Sequence, residues 1–266
     1  MDSEKRKMTE FFNLYPWPSD PESEKGRVYF ESSLKSLEKL VDHVWIKNFE
    51  KEKRIDILEI CGGAGFGGIA LAKLLEEKGI NVNLLITDIR DDVLLKAERF
   101  GEKILNKKIE TYSISALEVN KLKREFDLVL MFGCSSPNFS PFDMIRLLKV
   151  ITKVLKKDGI FIIDEADRIY SIFLTAGYQK VLLESSEEAV ISFHTGYDIS
   201  KGMIRRTFIN FTKNAKPITV DLYFWNIAEL SALISLFFEN FELIKLEGTR
   251  HFIMGKNPNK NFKKED

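Results

Sequence analysis

Between residues 55 and 164, short apolar runs alternate with amphipathic segments. The apolar runs predict five strands, at about 55–60, 83–87, 109–113, 126–132 and 160–164. Apolar residues that recur three and four positions apart predict the helices between them, at about 66–78, 91–105 and 141–155. Strands that are almost continuously apolar are typical of a parallel sheet covered by helices on both faces.

The pattern changes on either side of this region. Residues 1–30 are predicted to be irregular and to lead into a helix at about 31–50. Residues 165–225 have mixed α and β character and include a hairpin that turns at 213–217. A helix at about 226–238 and two strands joined by a tight turn at Gly248 and Thr249 follow.

These elements predict an α/β fold with a doubly wound, mostly parallel seven-stranded sheet and an antiparallel last strand. An N-terminal helical segment and a small α+β insertion after strand five are added to this sheet. The predicted units are an N-terminal segment at 1–50, a core at 51–164 and 226–258, an insertion at 165–225 and a charged tail at 259–266.

The charges of the chain balance, because its 266 residues include 40 Lys or Arg and 40 Asp or Glu. No overall field attracts nucleic acid or an anionic membrane, so a nucleic-acid partner is disfavoured. Two cysteines and an N-terminus without an apolar run predict a cytoplasmic protein with no membrane segment. Abundant Lys and Glu beside a single glutamine, Gln179, favour a thermophilic source.

Five of the seven residues from 62 to 68 are glycines, directly after the first predicted strand. A strand that turns through glycines into a helix brings backbone N–H groups close to a ligand. Residues 63–68 satisfy the pattern G-x-G-x-x-G, and Asp88 follows twenty residues after Gly68. Both features are expected in an NAD(P)-dependent oxidoreductase, in which the acidic residue binds the ribose hydroxyls.

Glu59, just before these glycines, favours a different cofactor. A carboxylate inside a buried strand is unfavourable unless it has a function, and a cofactor with a cationic or N–H-donating group would supply one. The glycines also begin one turn earlier than a dinucleotide motif requires. A dinucleotide domain would repeat its mononucleotide-binding half, whereas here strand five leads into an insertion.

LEICGGAG at 58–65, an acid followed by a glycine-rich turn, is the first of six segments that together resemble one family. The other five follow in the family's order, at 87–89, 114–117, 126–133, 155–161 and 241–257. The family is the class I S-adenosylmethionine-dependent methyltransferases, and the resemblance covers most of the chain. It implies a Rossmann-like seven-stranded fold, methyltransferase activity and S-adenosylmethionine as the cofactor.

The resemblance implies ten cofactor-binding residues: Glu59, Cys61, Gly63, Gly65, Asp88, Ile89, Ser115, Ala116, Phe132 and Gly133. Glu59 would position the methionine end of the cofactor, and Asp88 would accept hydrogen bonds from both ribose hydroxyls. Cys61 stands where the family has the first glycine of its motif. Ser115 stands where the third motif usually has an acid.

Methyl transfer from a sulfonium is an in-line displacement, so the protein mainly has to align the reactants and exclude water. A general base is needed only when the acceptor arrives protonated. Glu165, His194 and Tyr15 are the candidate catalytic residues. The alternatives are a solvated loop carboxylate, a strand-edge polar residue and an aromatic residue that pins the N-terminus to the core, respectively. No metal site is predicted, because the three histidines are dispersed.

The two segments that commonly form the acceptor pocket in the resembling family are both rich in aromatic residues here. They are the N-terminal segment, as a lid, and the insertion after strand five, as a cap. A partly apolar pocket with a lid favours a small-molecule acceptor. An RNA or protein methyltransferase, an NAD(P)-dependent oxidoreductase and a non-catalytic protein that retains the fold remain alternatives, and the oligomeric state is left open.

Overall fold

A computed structural model describes residues 2–260 of the chain. The α-helices in that range are α1 (Asp2–Leu14), α2 (Glu24–Val41), α3 (Val44–Lys47), α4 (Phe49–Glu52), α5 (Phe66–Glu77), α6 (Asp91–Leu105), α7 (Pro141–Val154) and α8 (Ile227–Phe237). The strands are β1 (Arg54–Glu59), β2 (Asn81–Asp88), β3 (Glu110–Ser113), β4 (Phe126–Met131), β5 (Leu155–Ala166), β6 (Val181–Ser185), β7 (Val190–Asp198), β8 (Met203–Asn210), β9 (Ile218–Leu222), β10 (Phe238–Lys245) and β11 (Arg250–Pro258). Short 3₁₀ helices lie at Ala116–Leu122 and Ser136–Asn138, and a π-helical turn lies at Tyr170–Thr175.

Within residues 2–260, a seven-stranded sheet in the order β10-β11-β5-β4-β1-β2-β3 forms the centre of the fold. β11 pairs antiparallel with β5 and β10, whereas β5, β4, β1, β2 and β3 pair in parallel. Helices α2, α5 and α6 cover one face, and α7 and α8 cover the other. The predicted doubly wound sheet with an antiparallel last strand is therefore confirmed. The carboxyl ends of its parallel strands meet at one edge, where ligands bind in open α/β sheets.

The burial of these elements follows from their sequences. β1 lies between β2 and β4, so that Ile57 is paired on both sides and is fully buried. α6 buries one stripe that includes Val93, Ala97 and Phe100, and Asp91 in its first turn is favourable at the positive end of the helix.

The N-terminal fifty residues differ from the prediction. α1 is helical where irregular chain was predicted, and α2 both begins and ends earlier than the predicted helix at 31–50. The prolines at 16, 18 and 21 lie in the connection between the two helices. α2 begins after Ser23, whose side chain accepts a hydrogen bond from the Gly26 amide at 3.0 Å.

Residues 165–225, the predicted insertion, contain the π-helical turn and, within the described range, a four-stranded antiparallel sheet in the order β6-β7-β8-β9. We call this sheet the cap sheet. The predicted hairpin with a turn at 213–217 corresponds to β8 and β9. β5 begins at Leu155, five residues before the predicted strand. The predicted charged tail, 259–266, lies outside the described residues beyond Lys260.

α1 connects the cap sheet to the core. Its Phe11 packs edge-on against Phe208 of β8, with ring centroids 5.1 Å apart. On the core side, Lys5 forms an ion pair with Asp91 at the start of α6. A segment predicted to be irregular is thus a bridge between the two sheets. No helix in the described part of the chain has both the length and the hydropathy needed to cross a membrane.

Candidate functional site

The glycine-rich turn after β1 surrounds the side chain of Glu59. A Cβ atom on Gly62, Gly67 or Gly68 would lie 2.6–2.8 Å from a carboxylate oxygen of Glu59. These three glycines therefore make room for Glu59, and α5 begins directly over its carboxylate. Gly63 instead faces Asp88 and Arg90, and Gly62, Gly63 and Gly67 all line the smaller of the two cavities described below.

Glu59 is buried at the carboxyl edge of the sheet without an ionic partner among residues 2–260. Burial raises the pKa of its carboxyl group to about 8; the amides of Gly68 and Gly67 offset this only in part, and repulsion from Asp88 and Asp164 adds to it. Its Oε2 atom has no hydrogen-bond partner in the described chain. A buried acceptor without a donor is costly, so Glu59 is suited to bind an N–H group of a ligand.

Asp88, at the end of β2, holds a network of donors. It accepts a hydrogen bond from the Gly63 amide at 2.9 Å, and Arg90 binds both of its carboxylate oxygens, at 3.0 and 3.2 Å. The Arg90 guanidinium is in turn covered by the Phe12 ring of α1, whose centroid lies 4.1 Å from Cζ. Arg90 therefore lies between α1 and the carboxylate that is predicted to bind the ribose.

Two adjoining cavities follow this edge of the sheet, and Phe12, Cys61 and Arg90 line both of them. The larger, of about 610 Å³, is lined by the predicted adenosine-binding residues Asp88, Ile89, Ser115 and Ala116. The smaller, of about 250 Å³, is lined on its core side by Glu59, Cys61, Gly63, Phe132 and Gly133.

Of the ten residues predicted to bind the cofactor, nine line the two cavities, and Gly65 is the exception among them. A Cβ atom on Gly65 would lie 2.7 Å from Ile86 and 2.8 Å from Ile69. Its backbone also has a φ of 81°, which favours glycine. Gly65 therefore serves the packing of the turn rather than contact with a ligand.

The loop after β4 forms the floor of the smaller cavity. Asp164 at the end of β5 accepts hydrogen bonds from the amides of Gly133 and Cys134, at 2.6 and 3.1 Å. Gly133 has a φ of 94°, and a Cβ atom there would meet Trp17 and Tyr29 at 3.4 Å. The N-terminal segment therefore covers the part of the cavity where the methionine end of the cofactor is expected.

Both cysteines lie at these cavities. Desolvation raises the pKa of each thiol, and neighbouring carboxylates (Asp88 for Cys61, Asp164 for Cys134) raise it further. The thiolate form is therefore disfavoured at both positions, and neither cysteine is suited to nucleophilic attack. No group of three or more His, Cys, Asp or Glu side chains within the described range is arranged to hold a metal ion.

The three predicted catalytic residues are in different environments. Tyr15 lines the smaller cavity and stacks on Phe11 with ring centroids 5.2 Å apart. Glu165 and His194 are not among the described residues that line it. Glu165 is neither exposed nor in a solvated loop: it is buried in β5, accepts hydrogen bonds from Ser136 and the Ala166 amide, and pairs with Arg168. Neighbouring side chains bind both Glu165 and His194 away from the described lining of this cavity, and a catalytic role for either residue stays a prediction.

Two charged residues of the cap side, Arg168 and Glu184, were not predicted at the site. Arg168, Glu184 and Arg206 all line the smaller cavity. Alternation along β6 could have indicated Glu184: Leu182 and Glu184 face the cavity, whereas Val181 and Leu183 are exposed. Alternation alone could not tell which face of this strand would be covered.

Comparisons with known proteins agree with this arrangement. A sequence model of the ubiE/COQ5 methyltransferase family matches residues 33–197. The structure is similar to that of PH0226 from Pyrococcus horikoshii OT3, with 21% identity, 94% of this chain and 99% of that chain covered, and a TM-score of 0.65. An S-adenosylmethionine-dependent methyltransferase from Clostridium acetobutylicum ATCC 824 matches with 14% identity, 88% and 99% coverage and a TM-score of 0.57.

A third similar structure is CalS10 with bound S-adenosylmethionine, an amino pentose methyltransferase from Micromonospora echinaspora. It shares 11% identity with this chain, 86% of this chain and 91% of that chain are covered, and the TM-score is 0.55. At these identities the structural similarity shows the fold. No curated protein sequence matches the chain.

Proposed function

The chain belongs to the ubiE/COQ5 methyltransferase family, and from that premise we propose that its methyl acceptor is a small molecule bound between the core and the cap sheet. The enzyme is an S-adenosylmethionine-dependent methyltransferase. The observation that supports our proposal is the smaller cavity, which continues from the predicted methionine site into a space walled by α1 and the cap sheet. A concave, largely aromatic cavity of about 250 Å³ suits a small molecule better than a flat macromolecular surface.

The residues at the sheet edge fit the cofactor. Asp88 offers two carboxylate oxygens to the ribose hydroxyls, beside Ser115 and Ala116 for the adenine. Glu59 lines the smaller cavity at the predicted methionine end, where its carboxyl group would balance the charge of the ammonium group. When bound, S-adenosylmethionine supplies a methyl group on a positively charged sulfur, which makes the methyl group a good electrophile.

Arg90 has to release at least one oxygen of Asp88 before both ribose hydroxyls can bind there. The amide of Gly63 also holds Asp88, so the carboxylate stays in place when Arg90 moves. Because Phe12 lies over Arg90, movement of Arg90 and movement of α1 are coupled in this arrangement. The bound state is thus expected to involve a local rearrangement of both.

The aromatic residues of the N-terminal segment exclude water from the cavity. Trp17 and Tyr29 pack edge-on, with ring centroids 5.2 Å apart, over the loop at Gly133. Displacement at a methyl group needs alignment of the reacting atoms and a site without competing water, and this cover supplies the second condition.

The cofactor site is tested by titration of S-adenosylhomocysteine into wild type and Asp88→Ala, followed by calorimetry. Each charge-assisted hydrogen bond to the ribose is worth roughly 1.5–3 kcal/mol, and the loss of two is offset in part by the released Arg90, so we expect affinity to fall at least about tenfold. NAD(H) serves as the control ligand and should not stabilise the protein against thermal unfolding.

The acceptor class is tested with radiolabelled S-adenosylmethionine and three cell fractions: molecules below about 1 kDa, RNA, and protein. Label in the low-mass fraction, lost with Asp88→Ala, supports our proposal. Label in RNA or protein alone would overturn the small-molecule acceptor while leaving the methyltransferase activity intact.

A further inference from the structure

We propose that Glu184 accepts the proton that the acceptor loses during methyl transfer, and that Ser192 and Arg206 position it. This inference rests on the proposed function, because it assigns a role on the acceptor side of the same cavity. Glu184 belongs to β6 of the cap sheet and lines the smaller cavity. Among the described residues that line this cavity, Glu59 is the other carboxylate, and it lies beneath the glycine-rich turn on the core side.

The carboxylate of Glu184 is held in a defined orientation. The Ser192 hydroxyl donates a hydrogen bond to Oε1 of Glu184 at 2.5 Å. Arg206 Nε donates to the same hydroxyl oxygen at 2.8 Å, and Arg206 Nη2 donates to the Ser192 carbonyl at 3.0 Å. Since Arg206 can only donate, the single hydroxyl proton of Ser192 must point toward Glu184.

This network leaves one oxygen of Glu184 available. Oε1 is bound to Ser192, and Oε2 has no hydrogen-bond partner in the part of the chain that the structure describes. Arg206 is only 2% exposed, and its guanidinium holds the Ser192 hydroxyl oxygen in place beside Glu184. A carboxylate that is oriented through one oxygen and free at the other has the geometry required of a general base.

The neighbouring cavity residues are less suited to accept a proton. Tyr15 has a raised pKa, first because it is buried and then because Glu184 is near, so its phenol stays protonated and is not available as a phenolate base. Arg168 carries a positive charge and pairs with Glu165 at 3.1 Å. Both can orient an acceptor beside Glu184 without competing for its proton.

The same network explains the position of His194. Its Nδ1 atom is 2.5 Å from the Tyr178 hydroxyl, which also receives a hydrogen bond from Arg206 Nη1 at 3.4 Å. Among the side-chain hydrogen bonds of residues 2–260, His194 is therefore connected to Glu184 through Arg206, and a guanidinium does not release its proton in a protein. His194 can position the network but cannot relay a proton to the cavity.

The proposed step applies to an acceptor whose reacting nitrogen or oxygen carries a hydrogen. As the lone pair of that atom forms a bond to the methyl carbon, the bond between the methyl carbon and sulfur breaks and its electron pair stays on sulfur. Oε2 of Glu184 takes the proton from the reacting atom and later returns it to water. The predicted substrate class is thus a small molecule with an amine or hydroxyl group.

The first test needs no knowledge of the acceptor. Sinefungin, a cofactor analogue, carries an ammonium group where the sulfonium methyl group would be, whereas S-adenosylhomocysteine carries nothing there. We expect Glu184→Gln to weaken sinefungin binding by up to about fivefold relative to S-adenosylhomocysteine, because one ion pair with the ammonium group is lost. Calorimetry on wild type, Glu184→Gln and the exposed control Glu187→Gln gives, for each protein, the ratio of the affinity for sinefungin to that for S-adenosylhomocysteine.

An unchanged ratio in Glu184→Gln would overturn the proposal. Failure of wild type to bind S-adenosylhomocysteine would instead overturn the assignment of the cofactor site. Glu184→Asp, which keeps the charge and shortens the side chain, distinguishes loss of charge from loss of folding: it should retain most of the preference for sinefungin.

The second test uses the pH dependence of label transfer to the low-mass acceptor fraction at saturating cofactor. Wild type should lose rate at acidic pH, as expected of a reaction that depends on a carboxylate base. Glu184→Gln should be slower by about 10²-fold and should lack this acidic limb. Ser192→Ala should lower the rate and retain the acidic limb, since it alters the orientation of the carboxylate and leaves the carboxylate itself in place. An acidic limb that survives in Glu184→Gln would exclude Glu184 as the base.

Discussion

The two adjoining cavities have a core wall, formed by the carboxyl ends of β1, β2, β4 and β5 with the loops that follow them, and a cap wall, formed by β6 to β9. The two walls hold their functional groups by different means. On the core wall, backbone amides hold the carboxylates even where a guanidinium also binds them: Gly63 and Arg90 bind Asp88, and the Gly133 amide and Arg250 bind Asp164. On the cap wall, side chains hold side chains, since Arg206 binds Ser192 and Ser192 binds Glu184. A wall whose geometry is set by backbone suits an invariant ligand, whereas a wall set by side chains can change its specificity by single substitutions.

The largest expected effect concerns the buried carboxylate of the core wall. Because the pKa of Glu59 in the folded state is about 8 and its model value is 4.5, the folded state binds more protons than the unfolded state between these pH values. The free energy of unfolding should therefore fall as pH rises through this window, by up to about 1.4 kcal/mol per pH unit from Glu59 alone. Urea unfolding at several pH values measures this change in the free energy of unfolding.

Glu59→Gln should remove this contribution, and the exposed Glu187→Gln should leave it unchanged. Glu165 has a raised pKa as well, so the informative quantity is the difference in slope between wild type and Glu59→Gln. Equal slopes would show that Glu59 is ionised in the folded protein at neutral pH.

The second-largest effect tests whether the glycines after β1 are needed to make room for the side chain of Glu59. Gly68→Ala places a Cβ atom 2.6 Å from the Glu59 carboxylate and 3.1 Å from Leu84, so we expect a loss of about 2–3 kcal/mol in the free energy of unfolding. Glu59→Ala in the same chain should restore part of it. Gly196→Ala, where the nearest atom is 3.7 Å away, is the control. Lack of rescue would mean that the clash with Leu84 decides the effect.

The cap wall should respond to the loss of one side chain. Arg206→Met removes the donor to Ser192 and leaves buried polar atoms without partners, at a cost of about 2 kcal/mol in the free energy of unfolding. The neighbouring Arg205 pairs with Asp221 on the surface. Arg205→Met should therefore change the free energy of unfolding by less than about 0.5 kcal/mol. Affinity for S-adenosylhomocysteine should stay within about twofold in both, since the core wall is intact. A similar loss of stability in both would contradict the network.

The smallest effect concerns Arg90, where α1 meets the core wall. Arg90→Ala removes the guanidinium contacts to both oxygens of Asp88 and leaves the contacts from backbone amides, so we expect affinity for S-adenosylhomocysteine to rise about tenfold, or about 1.4 kcal/mol. The gain should vanish when Asp88→Ala is added. Calorimetric titration measures both variants, and a lower affinity in Arg90→Ala would show that Arg90 itself contacts the cofactor.

Much of the core wall could be predicted because a parallel sheet places the ends of successive strands at one edge. Glu59 and Asp88 end neighbouring strands, so their positions follow from the order of the elements. The partners of these side chains could not be predicted in the same way. Gly67 and Gly68 fitted a ligand-binding pattern, but their close neighbour is Glu59, which precedes them in the chain.

The sequence by itself determined the sheet, its order of elements and the residues at its carboxyl edge, because periodic burial within each element is a local signal. The tertiary structure decided that α1 bridges the two sheets, that Arg90 covers Asp88 and that Glu184 rather than Glu165 reaches the cavity. These facts depend on contacts between elements far apart in the chain, such as Phe12 with Arg90. The energy of such contacts comes from how closely two surfaces pack together. The hydrophobic periodicity of one element does not predict which distant element will pack against it.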